Sequence, residues 1–521
     1  MKINFFLNSF FKFDNKESIL YFKGDLFYKG ERLSYQEITS LIDEYEIDFL
    51  NDTDGFFSFV YIKKNKIIAV VDKIRSIPLF YSNLNGVLEF SESYKNLTKD
   101  YSYDQVNKEI FQLCSYTVGN DTLVNEINQL VAGQYLIHKE NRVSIGDYYL
   151  YTSDNLEESS FNREEFKSYV YEALKSSFEK LINLADGREI VIPLSGGYDS
   201  RLVASMLKEL NYSNIICFSY GVKGNKEAEY SKYIANNLGF KWHFIEYNDI
   251  KWRDLWKSDL AKLYTEYASN SASLPHIQDF LAVYELKNKK IISNDALFIP
   301  GHCCVTSYIT NEVLGCEDSR KSSLSFIINR HFNLSPLSEN KIIVSNLDLY
   351  QFVEEKISKN IDLDSGLVNS IILFNWRERQ SKYIANSVRV YDFFDFNWWL
   401  PLWDTDFIEL WRNMPNIERV DRAIFKEIVS DIYERNSTIK KNLGNARTQS
   451  YFYKFFSRII KYLPLSFSGI LKKLYRIKEY KGHYLAFDAI VEDSDLSKLT
   501  KKGYKIIGIY CYKYLKGNWH D

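Results

Sequence analysis

Cysteine is scarce and unpatterned: six residues, Cys114, Cys217, Cys303, Cys304, Cys316 and Cys511, form no CxxC pair and no disulfide framework. That excludes a disulfide-stapled secreted module and fits a reducing compartment. The seven histidines are equally scattered, with no HExxH pair, so a zinc protease or classical zinc site is not expected. No excess of one charge exists either. The 66 basic and 68 acidic residues give a formal net charge of −2, without the field that draws a protein to nucleic acid or an anionic membrane. No run approaches the roughly 18 apolar residues of a membrane helix. The start, Met1-Lys2-Ile3-Asn4-Phe5-Phe6, lacks a sustained apolar region and a cleavage-like site. A cytoplasmic protein without membrane or nucleic-acid partners is expected.

What is present is aromatic. The 40 Tyr and 36 Phe read as core packing, because base stacking would need them interleaved with a basic stripe. The hydrophobic fraction of 45% and the length of 521 residues suit a globular chain of two or three domains. Residues 1–155 read as short strands between turns, with Ile67-Ile68-Ala69-Val70-Val71 and Gly133-Gln134-Tyr135-Leu136-Ile137 the clearest. Polar residues from Thr152 to Ser160 form a linker. A helix with Phe166, Val170, Leu174 and Phe178 on one face follows. Next come strand Glu189–Leu194, helix Ser200–Leu210, strand Ile215–Tyr220, helix Lys226–Leu238 and strand Trp242–Tyr247. That βαβαβ rhythm predicts a parallel, doubly wound sheet with ligands at the carboxyl ends of its strands. The chain from about 250 to 435 reads as mainly helical. A basic, aromatic stretch runs from Tyr451 to Lys481, read as a helix packing on the surface, with a membrane-surface or partner helix as the alternative.

The first parallel strand runs through Leu194 into Ser195-Gly196-Gly197-Tyr198-Asp199-Ser200, and a helix begins at once. Glycines let backbone approach an anion closely. Helix-start amides are unsatisfied donors carrying partial positive charge, which suits phosphate. Ser195 and Ser200 add hydroxyls. Asp199 beside a phosphate makes sense with an intervening magnesium ion. The bland alternative is a turn whose aspartate caps the helix. Five fixed positions match by chance in on the order of one chain in a thousand. There is no Gly-Lys-Ser/Thr ending, so this is not the Walker loop.

This loop is the signature of the ATP-pyrophosphatase (PP-loop) superfamily, and the chain resembles it further. The strand Cys217-Phe218-Ser219-Tyr220-Gly221 falls where that family binds adenine and ribose, which implies Phe218 and Gly221. The flanks are similar to asparagine synthetase. Phe27-Tyr28-Lys29-Gly30-Glu31 resembles its Asn-Gly-Glu segment. Asp54-Gly55-Phe56-Phe57-Ser58-Phe59 and Asp72-Lys73-Ile74-Arg75-Ser76-Ile77-Pro78-Leu79-Phe80-Tyr81 resemble two further glutaminase stretches. Leu400-Pro401-Leu402-Trp403-Asp404 resembles the synthetase's Pro-Phe-Leu-Asp. The likeness covers most of residues 24–435.

The resemblance implies an α/β protein. A degenerate Ntn-hydrolase-like αββα sandwich (residues 1–155) would precede a doubly wound ATP-pyrophosphatase domain with a helical C-terminal part (156–450), and an extension (451–521) would pack on the latter. It implies ATP and Mg2+ as cofactors. ATP and pyrophosphate would bind at Leu194, Ser195, Gly196, Gly197, Asp199, Ser200, Phe218 and Gly221, with Asp199 holding the metal. A late lysine in this family stabilises negative charge on the adenylate. Lys426, Lys440 and Lys441 are candidates, and Lys440 and Lys441 suit the spacing best.

Two departures matter. The family's amino-terminal cysteine is absent: Lys2 is the second residue and Cys114 the nearest thiol. Lys29 also replaces the oxyanion-stabilising asparagine. Glutamine hydrolysis is therefore not expected, and nitrogen would come from ammonia, an amine or a separate glutaminase. Second, the family's acidic Ser-Gly-Glu-Gly-x-Asp-Glu is replaced by Ala296-Leu297-Phe298-Ile299-Pro300-Gly301-His302-Cys303-Cys304-Val305, leaving Asp295 as the adjacent carboxylate. A metal role for His302, Cys303 and Cys304 lacks an evident fourth ligand. The expected activity is adenylation of a small carboxylate and transfer of its acyl group to ammonia or an amine. The alternative is an ATP-binding pseudoenzyme or scaffold. A tRNA-modifying enzyme of the same superfamily would need a basic surface that the charge does not provide.

Overall fold

Alternating burial along Ser18–Tyr28, with Leu20, Phe22 and Leu26 inward, makes this strand one wall of a two-sheet sandwich in the computed structural model. The structure describes residues 2–98, 102–154, 160–336, 349–438 and 476–521. Ser18–Tyr28 pairs antiparallel with Thr53–Lys63 across eleven residues, setting Phe22 opposite Phe59 and Leu20 opposite Tyr61. These strands anchor a seven-stranded sheet. A second, four-stranded sheet of Lys2–Phe6, Val87–Ser91, Phe80–Leu84 and Asn128–Gln129 stacks on it. Val60, Ala69 and Val71 from one sheet meet Leu79, Leu88 and Phe90 from the other. Helix Tyr35–Tyr45 covers the outer face of the larger sheet with Ile38 and Ile42. It starts in a capping box between Ser34 and Glu37.

The second half is built on five parallel strands in the order Lys241–Glu246, Ile215–Gly221, Ile190–Pro193, Leu297–Phe298 and Asn397–Trp398. Ile190, Val191 and Ile192 are fully buried, as a strand covered on both faces requires. Helices Tyr198–Glu209 and Lys226–Leu238 supply the crossovers, the first one or two residues from the bounds expected and the second at them. The chain first moves outward from Ile190–Pro193 in one direction, then returns to add Leu297–Phe298 on its other side. The crevice between these two strands is thus the topological switch point, where ligands enter open α/β sheets. Segments 195–200 and 299–305 border it.

Aromatic and ionic contacts join the two halves. Trp399 meets Phe56 edge-on at 4.5 Å. The Trp376 indole N–H donates to the Lys73 carbonyl at 2.8 Å. Lys180 Nζ reaches Asp54 at 2.9 Å and Asp404 at 2.8 Å. Residues 476–521 pack against both halves: Trp252 donates to the Leu485 carbonyl (2.9 Å) and Gln112 to the Gly508 carbonyl (2.6 Å). Most of the basic stretch Tyr451–Lys481 lies outside the described residues. Among the described residues no helix is long and apolar enough to cross a membrane.

Candidate active site

The Leu194 N–H donates to the Phe218 carbonyl at 2.8 Å, carrying the sheet ladder to the edge of the loop. Beyond it the chain turns, and helix Tyr198–Glu209 begins with Gly197 as its N-cap and no side-chain cap. The first-turn amides of such a helix are left for an external acceptor. Two hydroxyls brace the turn. Ser195 Oγ accepts from the Gly197 N–H at 3.2 Å, and Ser200 Oγ accepts from the Ser195 N–H at 3.1 Å. The hydroxyl oxygens lie 3.0 Å apart. A loop held by its own side chains loses little entropy when an anion docks.

Gly301 forms the opposite wall. A Cβ there would lie 2.5 Å from the Ser200 nitrogen and 2.8 Å from the Ser200 Cα, so a side chain would drive the walls apart. Asp295 is exposed and precedes strand Leu297–Phe298, at the end of the sheet away from the loop. His302 Nε2 lies 3.1 Å from Ser387 Oγ, and burial holds its pKa down at about 3, with His276 adding to the effect. Burial pushes the Cys304 thiol up, and Cys303 adds to it. Among the described residues no group of three or more His, Cys, Asp or Glu is placed to hold a metal.

The charged partner of the loop is Arg422. Its guanidinium forms an ion pair with Asp199 and lies 4.4 Å from the centre of the Phe425 ring. Arg422 is the N-cap of helix Ala423–Asn436 at φ 58°, directly after Asp421 at φ 51°. Consecutive left-handed non-glycine residues cost energy, and they aim this arginine back at the crevice. Arg422 was not among the candidate cations, which were lysines. Lys426 lies four residues further along the same helix, and Lys440 and Lys441 fall outside the described residues.

Behind Arg422 lies a cavity of about 30 Å³, lined by Tyr151, Cys304, Asn375, Trp411, Arg419 and apolar side chains. Its polar groups are incompletely satisfied. Arg419 donates through Nη2 to three neutral oxygens, Ser153 Oγ at 3.0 Å and the carbonyls of Arg412 (2.9 Å) and Met414 (3.3 Å). The Nε of Arg419, the Nε of Arg422 and the Trp411 indole N–H are buried donors without acceptors. Asn375 Oδ1 is a buried acceptor without a donor. It opens a ten-residue π-helix, Asn375–Ile384, a rare conformation found disproportionately at functional sites.

Of the adenine-strand candidates, Phe218 is fully buried within the sheet. Gly221 ends its strand at φ 131° beneath the C-terminal segment, where a Cβ would lie 2.6 Å from the Tyr484 carbonyl. The Val222 N–H donates to that same carbonyl at 2.7 Å. The tail therefore closes one side of the crevice, a contact no local pattern could announce.

A parallel α/β domain, with an uncapped helix start at its switch point and an arginine facing that turn, places a candidate ligand site where open α/β sheets take their ligands. Residues 170–280, which contain the loop, match the family described as asparagine synthase. No curated protein sequence matches it. Two solved structures overlap it at 9% identity: the allosteric regulatory enzyme of purine biosynthesis, and glutamine phosphoribosylpyrophosphate amidotransferase from B. subtilis complexed with ADP and GMP. The overlaps cover 61% and 57% of this chain and 58% and 64% of those chains, with TM-scores of 0.19 and 0.18. Superpositions this loose say nothing of the present architecture.

Proposed function

We propose that the chain is an AMP-forming amide ligase. A small carboxylic acid attacks the α-phosphorus of ATP at loop 195–200, pyrophosphate leaves, and ammonia or an amine then attacks the acyl carbon and displaces AMP. The observation that carries this reading is the pairing of an uncapped helix start at the switch point with Arg422. An arginine at this position is a fixed positive charge, able to stabilise negative charge developing on phosphate or acyl oxygens. It fills the role that the family resemblance assigns to a late lysine. Arg419 and the unsatisfied donors behind Arg422 suit the oxygens of the acid. Nitrogen comes from solution, from the acceptor or from a separate glutaminase. Cys114 supports this, because its thiol is buried, bonded to the carbonyls of Ile110 (3.2 Å) and Tyr116 (3.0 Å), and pushed up by burial.

ATP fits the loop; magnesium fits less well. Asp199 is the carboxylate of the loop, and Arg422 already neutralises it. No step is therefore routed through a metal. The same observation favours a second reading, an ATP-binding pseudoenzyme, since segment 296–305 brings no carboxylate to the crevice.

ATP–pyrophosphate exchange across aspartate, uronic acids and amino-acid derivatives separates the two. Exchange that depends on one acid and disappears in Asp199→Ala establishes adenylation. ATP binding by calorimetry with no exchange for any acid favours the pseudoenzyme, and failure to bind ATP sinks both.

A further inference from the structure

A second charged cavity shares no lining residue with the loop or with the cavity behind Arg422 and lies at the seam between the N-terminal sheets and the helical segments around 270 and 389. It measures about 250 Å³, and three cations, Lys23, Arg75 and Arg389, line it against one acid, Glu92. Arg75 is the unusual member. It is 2% exposed, yet among the described residues its side chain makes a single hydrogen bond, an Nε donation to the Leu130 carbonyl at 3.2 Å, and no carboxylate lies within ion-pair distance of it. The Asp72 carboxylate that shapes its turn is occupied by the N–H groups of Phe57 (3.1 Å), Ile74 (2.8 Å) and Ser76 (3.1 Å). Arg389 stands close by, donating at 2.7 Å to the carbonyl of Ser76, the next residue in the chain. Its ion pair is with Asp392 at 2.8 Å, and its Nε has no acceptor.

Burial, and after it the charge of Arg389, work against the protonated form of Arg75, and the charges of Glu378 and Asp72 offset them only in part. Arg75 also sits at φ 52°, where a non-glycine residue is strained by roughly 1–2 kcal/mol. Two unfavourable choices coincide at one buried residue: a negative ligand in the cavity would offset the charge, and the strained backbone is what holds the guanidinium there. Strain and uncompensated charge held together in this way mark a functional position more often than a packing one.

We propose that this cavity binds a small dianionic metabolite through Arg75, Arg389 and Lys23, independently of the nucleotide loop. The class is a compact molecule with two negative oxygens and a short apolar body, a phosphate ester or a dicarboxylate. Phe10, Ile77 and Tyr267 supply the apolar wall. Because the cations come from both halves of the molecule, the ligand would bridge the seam.

The test is calorimetric titration of the full-length protein with inorganic phosphate and, separately, succinate, at constant ionic strength. Saturable binding of at least one probe is expected. Arg75→Gly should weaken it about tenfold or more, as loss of a charge-assisted hydrogen bond implies. Glycine adopts φ 52° without strain, so this variant should fold at least as well as the parent. Lys23→Gln, at the mouth of the cavity, should weaken binding as well, whereas Arg422→Ala should leave it unchanged. The proposal is overturned if neither probe saturates, if Arg75→Gly binds as tightly as the parent, or if Arg422→Ala abolishes binding.

Discussion

Two carboxylates of this protein are each held by a buried cation, and they do opposite things. At the seam between the halves, Lys180 lies between Asp54 and Asp404, and the Thr405 N–H donates to Asp54 at 3.2 Å. These side chains retain 13%, 13% and 3% of their exposure. Two acids share one ammonium, neighbouring donors fill the remaining lone pairs, and nothing is left for a ligand. At the crevice, Asp199 and Arg422 retain 30% and 17%, and the Nε of Arg422 has no acceptor, beside a cavity that this residue helps line. A closed network fixes position, whereas an open one is a site. That distinction separates Asp54 from Asp199, although each belongs to a motif of the same family.

The largest expected effect lies at the closed network. Lys180→Met should cost roughly 3–5 kcal/mol in denaturant unfolding, because it leaves two buried acids without a counter-charge. Adding Asp54→Asn and Asp404→Asn to that variant should recover much of the loss. A loss under about 1 kcal/mol for Lys180→Met would put this triad with ordinary surface ion pairs and dissolve the contrast.

The open network should respond in the reverse sense. Arg422→Ala should change stability by less than about 1 kcal/mol, since its pair is partly solvated. Acid-dependent exchange should fall on the order of 10²–10³-fold, the range for removing one transition-state donor. Arg422→Lys should restore part of that activity, keeping the charge and losing the fork. A variant that unfolds instead would make Arg422 structural, like Lys180.

The loop was legible in the sequence because its chemistry is local. Strand, glycine turn and helix start within a dozen residues, and the same interval sets their geometry. Arg422 was not legible. Its contact with Asp199 spans 223 positions and depends on two left-handed residues that no composition signals. The family resemblance also points to a lysine, whereas Glu418-Arg419-Val420-Asp421-Arg422 stands just before the helix that carries Lys426. Asp54 was readable as a motif residue, but its partners Lys180 and Asp404 come from distant segments. The cover over Gly221 comes from a tail more than 250 residues downstream. Pairings of this kind are decided by tertiary packing, which a single sequence does not encode in any window.

Acidification offers a smaller and ordered test of the same contrast. His302 beside the crevice and His331, 6% exposed against Phe374, are both held at about 3 by burial, against a usual value near 6.5. Each stays neutral in the folded protein while the unfolded chain takes up a proton, so stability present above pH 6.5 is lost as pH falls toward 3. By pH 5 the loss is about 2 kcal/mol per histidine. At the seam, against the pull of burial, Lys180 holds Asp54 below the ordinary carboxylate range, whereas burial and then Asp54 push Asp404 up. Asp54's contribution is therefore present above the ordinary carboxylate range and is lost only as pH falls below it. Acid should loosen the crevice before the seam. Unfolding free energy measured from pH 7 to 4 should decline from about 6.5 downward, and His302→Gln should remove about 2 kcal/mol of that decline at pH 5. If the decline instead begins below pH 4, the carboxylates of the closed network set acid stability, and His302 and His331 are solvated in the folded state.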